Sequence, residues 1–353
     1  MKILFVIGAG ILPEQRIKRW QMVSQLYARL GKAFLQLGHQ IYYYVHPEAY
    51  HEDVPPALCW LCEDQQHLPN ILENFQPDFV FCWNGSSGGD VATATVAQAH
   101  GAKMVFSEQG WFPQATTIYF DLSGCNGKCG TKNRRYEDLS PDAYKRFMAQ
   151  RKIYLQQIGE ANHFPGDRFE ILPPDMSKPV FVPLQDERDL NIVQDSPFKT
   201  MDEFVGLLAH KYPACRFVVR PHPKYPKPEL GQYANVQLDN PKRPMFESLA
   251  ICGMVVGINS TTLQESALLG YTVVSFGESL ATGTGLFVDV RPGSEPADLQ
   301  SVRVKSNKAA AVLYHLLCVK QMVREQLDNP AVIMKSGMFK ELCQNLNWNS
   351  IYR

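Results

Sequence analysis

No apolar run in this sequence reaches the about 18–20 residues that a helix needs to cross a bilayer, so no membrane span is expected. The opening Met1-Lys2-Ile3-Leu4-Phe5-Val6-Ile7 imitates a signal peptide. Its apolar stretch stops at Gly8-Ala9-Gly10 and runs on into charged sequence, which suits a first buried strand better. Neither sign of charge is in excess: 35 Lys and Arg balance 35 Asp and Glu. That removes the broad basic field on which a nucleic-acid grip depends and leaves only a local groove as a route to one. Internal repeats with a period of about 20–50 residues and low-complexity tracts are also missing. What is present is 45% apolar and 20% charged sequence, enough to bury cores and to argue against disorder. A length of 353 residues suits two domains of ordinary size.

The nine cysteines are scattered, several inside apolar segments, such as Cys82, Cys215 and Cys252. This usage suits a reducing, cytoplasmic compartment. Attachment at the inner face of the cytoplasmic membrane stays compatible with it. Cys59-Trp-Leu-Cys62 and Cys125-Asn-Gly-Lys-Cys129 together offer four thiols to a zinc ion. The first pair lies in strand-like sequence and no histidine stands at finger spacing, so buried free thiols are the preferred reading.

Short apolar runs alternate with amphipathic stretches. Strands are expected at Ile3–Ile7, Gln40–Val45, Phe79–Cys82 and Lys103–Phe106, with helices around Gln15–Leu37, Leu68–Phe75 and Asp90–Ala99. A second series runs through Pro179–Leu184, Arg216–Arg220, Val236–Leu238, Met254–Gly257 and Thr272–Phe276. Its helices fall at Met201–Lys211, Met245–Ile251 and Thr262–Leu269, and terminal helices are expected at Ala309–Leu327 and Lys335–Leu346. This βαβα alternation predicts an α/β chain of two parallel, doubly covered sheets. Pro165-Gly166 and Pro173-Pro174 suggest a linker. The expected division is 1–172, 173–330 and a terminal helix 331–353 returning to the first lobe. In such a fold a ligand is expected between the lobes, at the carboxyl ends of the strands.

The turns after these strands hold the chemistry. Gly8-Ala9-Gly10 resembles the start of a dinucleotide fingerprint. Pro13 replaces its third glycine and no acid ends the second strand, so NAD is rejected; the loop, with Gly10, is expected near an acceptor. Asn84-Gly85-Ser86-Ser87-Gly88-Gly89-Asp90 offers free N–H groups to an anion or to sugar hydroxyls, or is a plain loop ending in an Asp N-cap. Glu108, followed by Gly110 and Trp111, stands where a cleft-facing acid or base belongs, or is a solvated carboxylate. Large aromatics such as Trp111, Phe112, Tyr119 and Phe120 are more often core than sugar platforms. In Gln185-Asp186-Glu187-Arg188-Asp189 one carboxylate suits a nucleophile or base and Arg188 an anion, although such clusters are usually surface turns. Arg220-Pro221-His222-Pro223-Lys224 holds one imidazole between two prolines in a cationic setting. Asn259-Ser260-Thr261-Thr262 opens a helix, Thr262 and Glu265 match a capping box, and the same N–H groups make an anion seat.

The run Val182-Pro183-Leu184-Gln185 through Asp189, Ile192 and Ser196-Pro197-Phe198 belongs with Arg220-Pro221-His222-Pro223 and with Asn259-Ser260-Thr261-Thr262, Glu265 and Leu268-Leu269-Gly270. Together these resemble the capsule-polysaccharide synthesis proteins, and within them the retaining β-Kdo glycosyltransferases of capsule and O-antigen assembly. The resemblance spans about residues 104–276 and is strongest over 180–275. It implies a GT-B fold of two Rossmann-like lobes, a CMP-β-Kdo donor, no metal, and an oligosaccharide or lipid-linked glycan as acceptor. By the same resemblance His222-Pro223 and Ser260-Thr261 contact the donor phosphate, Asp189 is the nucleophile with Asp186 and Glu187 as rivals, and Glu108 is the acid of the first lobe. Gln185, Arg188, Arg220, Lys224, Asn259, Thr262 and Glu265 complete the expected donor site; Gly10, Asn84, Gly110 and Trp111 form the expected acceptor site. The Cys125–Cys129 loop departs from the family pattern. Competing readings are an inverting sialyltransferase-like enzyme using CMP-sialic acid, a nucleotide-sugar epimerase, and a non-catalytic glycan-binding partner of an assembly complex.

Overall fold

A computed structural model describes residues 1–10, 17–160, 168–240 and 242–346. The chain forms two compact units, one of Met1–Gly130 with the segment from Val319 onward, the other of Thr131–Cys318.

In the first unit, β1 (Lys2–Ile7), β2 (Gln40–Val45), β3 (Cys59–Leu61), β4 (Phe79–Trp83) and β5 (Lys103–Gln109) run parallel in the spatial order β3-β2-β1-β4-β5. β6 (Thr117–Asp121) adds antiparallel to β5, and the strand Gln321–Val323 adds antiparallel to β6. β1 and β4 are apolar and buried almost throughout, because helices cover both faces of a parallel sheet. Those helices are α1 (Ile17–Gln36), α2 (Leu68–Phe75) and α3 (Gly88–Ala99). Trp20, Val23, Tyr27, Leu30 and Phe34 of α1 recur at helical spacing and pack with Phe5, Tyr43 and Phe81 into one core. Leu327, Ile333, Met338, Phe339 and Leu342 of the returning segment enter the same core, as expected for terminal helices that pack back on this unit.

The second unit carries β7 (Val180–Pro183), β8 (Phe217–Arg220), β9 (Val236–Leu238), β10 (Met254–Gly257), β11 (Val273–Ser275) and β12 (Val288–Asp289), all parallel, in the order β9-β8-β7-β10-β11-β12. Its helices are α4 (Pro141–Gln157), α5 (Leu190–Asp195), α6 (Met201–Lys211), α7 (Met245–Ala250), α8 (Thr261–Leu269) and α9 (Ser306–Tyr314). The start of α6 is set by a reciprocal capping box between Thr200 and Glu203. In each sheet the strand order reverses beside the first strand, at β1/β4 and at β7/β10. At such a switch point the following loops diverge and leave a crevice at the carboxyl ends.

Three expectations are corrected. The first unit ends at Gly130, not near residue 172, and the chain returns to it at Val319. The reason is α4, which belongs to the second unit: Arg151 donates its Nε–H to the Leu268 carbonyl at 2.8 Å and the Tyr154 hydroxyl donates to Glu265 at 3.0 Å. The continuous helix expected over Ala309–Leu327 stops at Tyr314, passes through a π turn at His315–Lys320, and becomes the strand Gln321–Val323. Pairing with β6 and a buried Lys320–Asp121 ion pair at 2.7 Å override helix propensity there. Finally, α3 is capped by Ser87, whose hydroxyl accepts from the Asp90 N–H, so Asp90 is the third helical residue and not the cap.

Candidate active site

At the switch point of the second sheet, the adjacent strands β10, β7 and β8 deliver Ser260, the Gln185–Asp189 turn and His222 to one edge. Two amides tie the loops together. Gln185 Nε2 donates to Asn259 Oδ1 at 2.9 Å, and the Asn259 N–H donates back to Gln185 Oε1 at 3.2 Å. Asn259 Nδ2 also donates to the carbonyls of Asn191 and Glu278. These two residues therefore shape the turn.

The three rival carboxylates have different partners. Glu187 accepts the Met201 N–H at 2.6 Å and serves the start of α6. Asp186 Oδ1 accepts from the N–H and Nε of Arg188 at 3.1 and 3.2 Å. Asp189 caps α5, its Oδ1 accepting from the Asn191 N–H at 2.9 Å. Arg188 also lies over the Tyr225 ring at 4.5 Å, linking this turn to the His222 loop.

Burial lowers the His222 pKa below its ordinary value; Asp186 and Asp189 oppose this and Lys224 reinforces it. The imidazole is thus neutral at pH 7. Its Nδ1 accepts the Lys224 N–H at 3.3 Å, which assigns the ring proton to Nε2 and leaves that atom a donor. Pro223 and Lys224 are exposed beside it. Arg220 is spoken for: its guanidinium meets Asp239 at 2.5 Å and donates to the Arg243 carbonyl at 2.8 Å.

The expected Thr262/Glu265 capping box is not what starts α8. Ser260 is the cap, its Oγ accepting the Thr262 N–H at 3.3 Å, and Thr261 is the first helical residue. Glu265 instead meets the Tyr154 hydroxyl, and burial pushes its pKa up to about 7. It lies one helical turn from the end where the other groups gather.

A second polar cluster belongs to the first unit, at the ends of β4 and β5. The Glu108 carboxylate receives Asn84 Nδ2 at 2.6 Å, Arg19 Nη2 at 3.2 Å and its neighbour's Gln109 N–H at 2.9 Å. Arg19 lies over the Trp83 ring at 5.7 Å. Asn84 and Gly85 take left-handed φ angles of 60° and 78°, and a side chain at position 85 would collide with the Phe106 ring. Gly10, with φ 75°, faces Gly89, where an added Cβ would strike the Ala9 carbonyl. Asp90 is buried, accepts the Ser87 hydroxyl at 2.6 Å, and has its pKa raised to about 7, chiefly by burial. Gly110 and Trp111 are buried, the Trp111 ring stacked on Tyr119 at 4.3 Å. Phe112, Tyr119 and Phe120 are buried too, in line with the core reading of these aromatics. Arg19 and Trp83 were not singled out from sequence for this cluster; nothing near Arg19 in the chain marks it as a partner of a strand end.

The cysteine pairs are far apart. Cys59 lies in β3, and Cys129 donates its thiol to Asp121 of β6 at 3.2 Å. Five strand steps separate β3 from β6, roughly 24 Å at about 4.8 Å each, so the two pairs cannot meet at one ion.

No family model matches the chain. Among curated proteins, protein FixF of Sinorhizobium fredii is 27% identical over 254 residues, covering 64% of this chain and 56% of FixF. The match thus spans about half the length of that relative. Among solved structures, the KpsC β-Kdo 2,7 transferase of Thermosulfurimonas dismutans superposes with a TM-score of 0.55 at 12% identity, over 95% of this chain and 100% of that one. The KpsC β-Kdo 2,4 transferase of the same organism gives 0.53 at 12%, over 88% and 89%. The chain shares the fold of these transferases, the two-unit α/β GT-B class read from its sequence.

Proposed function

We propose that this protein is a retaining β-Kdo glycosyltransferase that moves Kdo from CMP-β-Kdo to a saccharide acceptor, without a metal, in assembly of a bacterial surface polysaccharide. One observation carries the reading: adjacent strands bring the His222 imidazole, whose Nε2 is left as the donor, two acidic side chains and a serine-capped helix start to the same sheet edge. A phosphate monoester leaving group needs donors at its oxygens, which His222 Nε2, Lys224 and the first N–H groups of α8 supply. The shared fold of the KpsC transferases supports the same reading.

In this mechanism an Asp189 carboxylate oxygen bonds to the anomeric carbon as its bond to the CMP oxygen breaks. The electron pair leaves with CMP. The acceptor hydroxyl then attacks the same carbon from the opposite face, gives its proton to Glu108, and releases Asp189, so two inversions give retention. Asp186, which also acts on His222, is the alternative nucleophile; Glu187 is turned to α6. Arg188 is suited to the sugar carboxylate of the donor. A lipid-linked glycan acceptor, and contact with the membrane surface to reach it, belong to this proposal.

The test is incubation with a panel of CMP-sugars, followed by intact-protein mass measurement and product analysis. A mass increase of one Kdo residue in the wild type, absent in Asp189→Asn, is expected. CMP-sialic acid turnover with inversion and no adduct would favour the sialyltransferase reading instead.

A further inference from the structure

The geometry points to Arg19 as a positioning residue that, with Asn84, clamps the Glu108 carboxylate at the switch point of the first sheet. The inference rests on the reading of Glu108 as the group that takes the acceptor proton. Arg19 reaches Glu108 from α1, 89 residues away in sequence, with Nη2 at 3.2 Å from Oε2 and 3.4 Å from Oε1. Asn84 closes on Oε2 at 2.6 Å from the end of β4. Asn84 can do so because its backbone sits at φ 60°, a conformation that Asn tolerates and most residues do not.

The local arrangement sacrifices hydrogen bonding to achieve this. Arg19 Nε, Asn84 Oδ1 and the indole N–H of Trp83, a residue only 1% exposed, are buried with no partner among the described residues. Buried polar atoms are almost always paired, because leaving them unpaired costs stability. Three such atoms, two in the side chains that hold the carboxylate and one in the ring beneath Arg19, mark a place where geometry has been kept at the expense of satisfaction. The Trp83 ring beneath the Arg19 guanidinium fixes its plane. Other charged and titratable groups that act on Glu108 or stand beside it are Asp90 on α3, Tyr119 on β6, Cys125 in the following loop and Arg324 in the returning segment. Arg324 is committed to the carbonyls of Thr117 and Gln114, so among the described residues Arg19 is the cation that binds the carboxylate directly.

The experiment measures steady-state transfer by the full chain for Arg19→Met, Arg19→Lys and Asn84→Gly, with thermal unfolding as a check on folding. Asn84→Gly keeps the left-handed backbone and the Arg19 contact, so it remains informative if Arg19→Met fails to fold. Expected is a fall in kcat of about 30–100-fold in Arg19→Met and Asn84→Gly, as displacement of a reacting group by about 1 Å gives, with the donor KM changed less than about threefold. Arg19→Lys recovers part of kcat. A merely structural role gives neither a loss confined to kcat nor its recovery in Arg19→Lys. Unchanged kcat in both, or a loss that only tracks unfolding, overturns the proposal. Failure of the functional reading is distinguishable: the wild type then transfers nothing from any CMP-sugar. In that case the clamp is judged by a urea-unfolding double-mutant cycle between Arg19→Met and Glu108→Gln, where coupling supports it and additivity overturns it.

Discussion

His222 is fenced by two prolines, and that local rigidity is why it stood out in sequence. The structure adds the reason for its protonation state, with burial favouring the neutral ring and the Lys224 N–H fixing the tautomer. A hydrogen bond to a charged phosphate contributes about 1.5–3 kcal/mol, so His222→Ala is expected to weaken CMP binding about 10–100-fold by calorimetry. Unchanged affinity would remove His222 from the donor site. Glu265 illustrates the opposite case. Its place three residues after Thr262 imitated a capping box, yet the side chain points to Tyr154 and titrates near 7. An acid whose folded pKa is raised binds its proton more tightly when folded. Its stabilising proton is fully present below the unfolded pKa of about 4.5 and is lost as pH rises toward 7. Glu265→Gln should therefore raise stability relative to wild type at pH 8, on the order of 1–3 kcal/mol, and do so much less at pH 4.5. An equal effect at both pH values in urea unfolding would contradict that assignment. Spacing alone could not separate these roles, because a helix start and a helix contact use the same acidic residue type.

Parallel strands were legible as elements because both of their faces are buried, which turns them into unbroken Val, Ile and Phe runs such as Ile3–Ile7 and Phe217–Val219. α6 was legible as Met201–Lys211, the bounds it has in the structure, where a capping box between Thr200 and Glu203 opens it. β6 and Gln321–Val323 were not. They pair antiparallel across about 200 residues of chain, and three residues give no periodicity to read. What fixes this element is ionic. Lys320 and Asp121 are each about 5% exposed and 2.7 Å apart, with Glu341 at 3.3 Å from the same ammonium. Burial alone would raise the Asp121 pKa, but Lys320 and the N–H groups of Gly130 and Ser123 outweigh it and hold it below its ordinary value. Removing the cation strands a buried carboxylate. Lys320→Met is thus expected to destabilise the protein by about 3–5 kcal/mol, and adding Asp121→Asn should recover part of the loss. If the single variant unfolds at the wild-type urea midpoint, the pair does not anchor the strand.

At the scale of the whole chain, the two units are built on the same physical plan but are not continuous in the same way. The second is one stretch, Thr131–Cys318, whereas the first is completed only when the segment from Val319 adds its strand and its apolar side chains. Of the residues that signalled a linker, Pro165-Gly166 lie outside the described residues and Pro173-Pro174 fall inside the second unit, whose boundary is set by where α4 packs. The functional reading makes a claim about this division. The groups assigned to the leaving nucleotide, His222, Lys224 and the Ser260 cap, all belong to the second sheet's carboxyl edge, while Glu108 and its clamp belong to the first. A nucleotide that binds only the folded form lowers the opening of the amides it orders. Addition of CMP alone should therefore slow hydrogen exchange around residues 184–189, 222–225 and 258–263, and leave 82–90 and 106–110 at their original rates. Protection confined to the first-unit segments would reverse the assignment of the two sheets, and protection at neither would remove the cytidine nucleotide from the proposal.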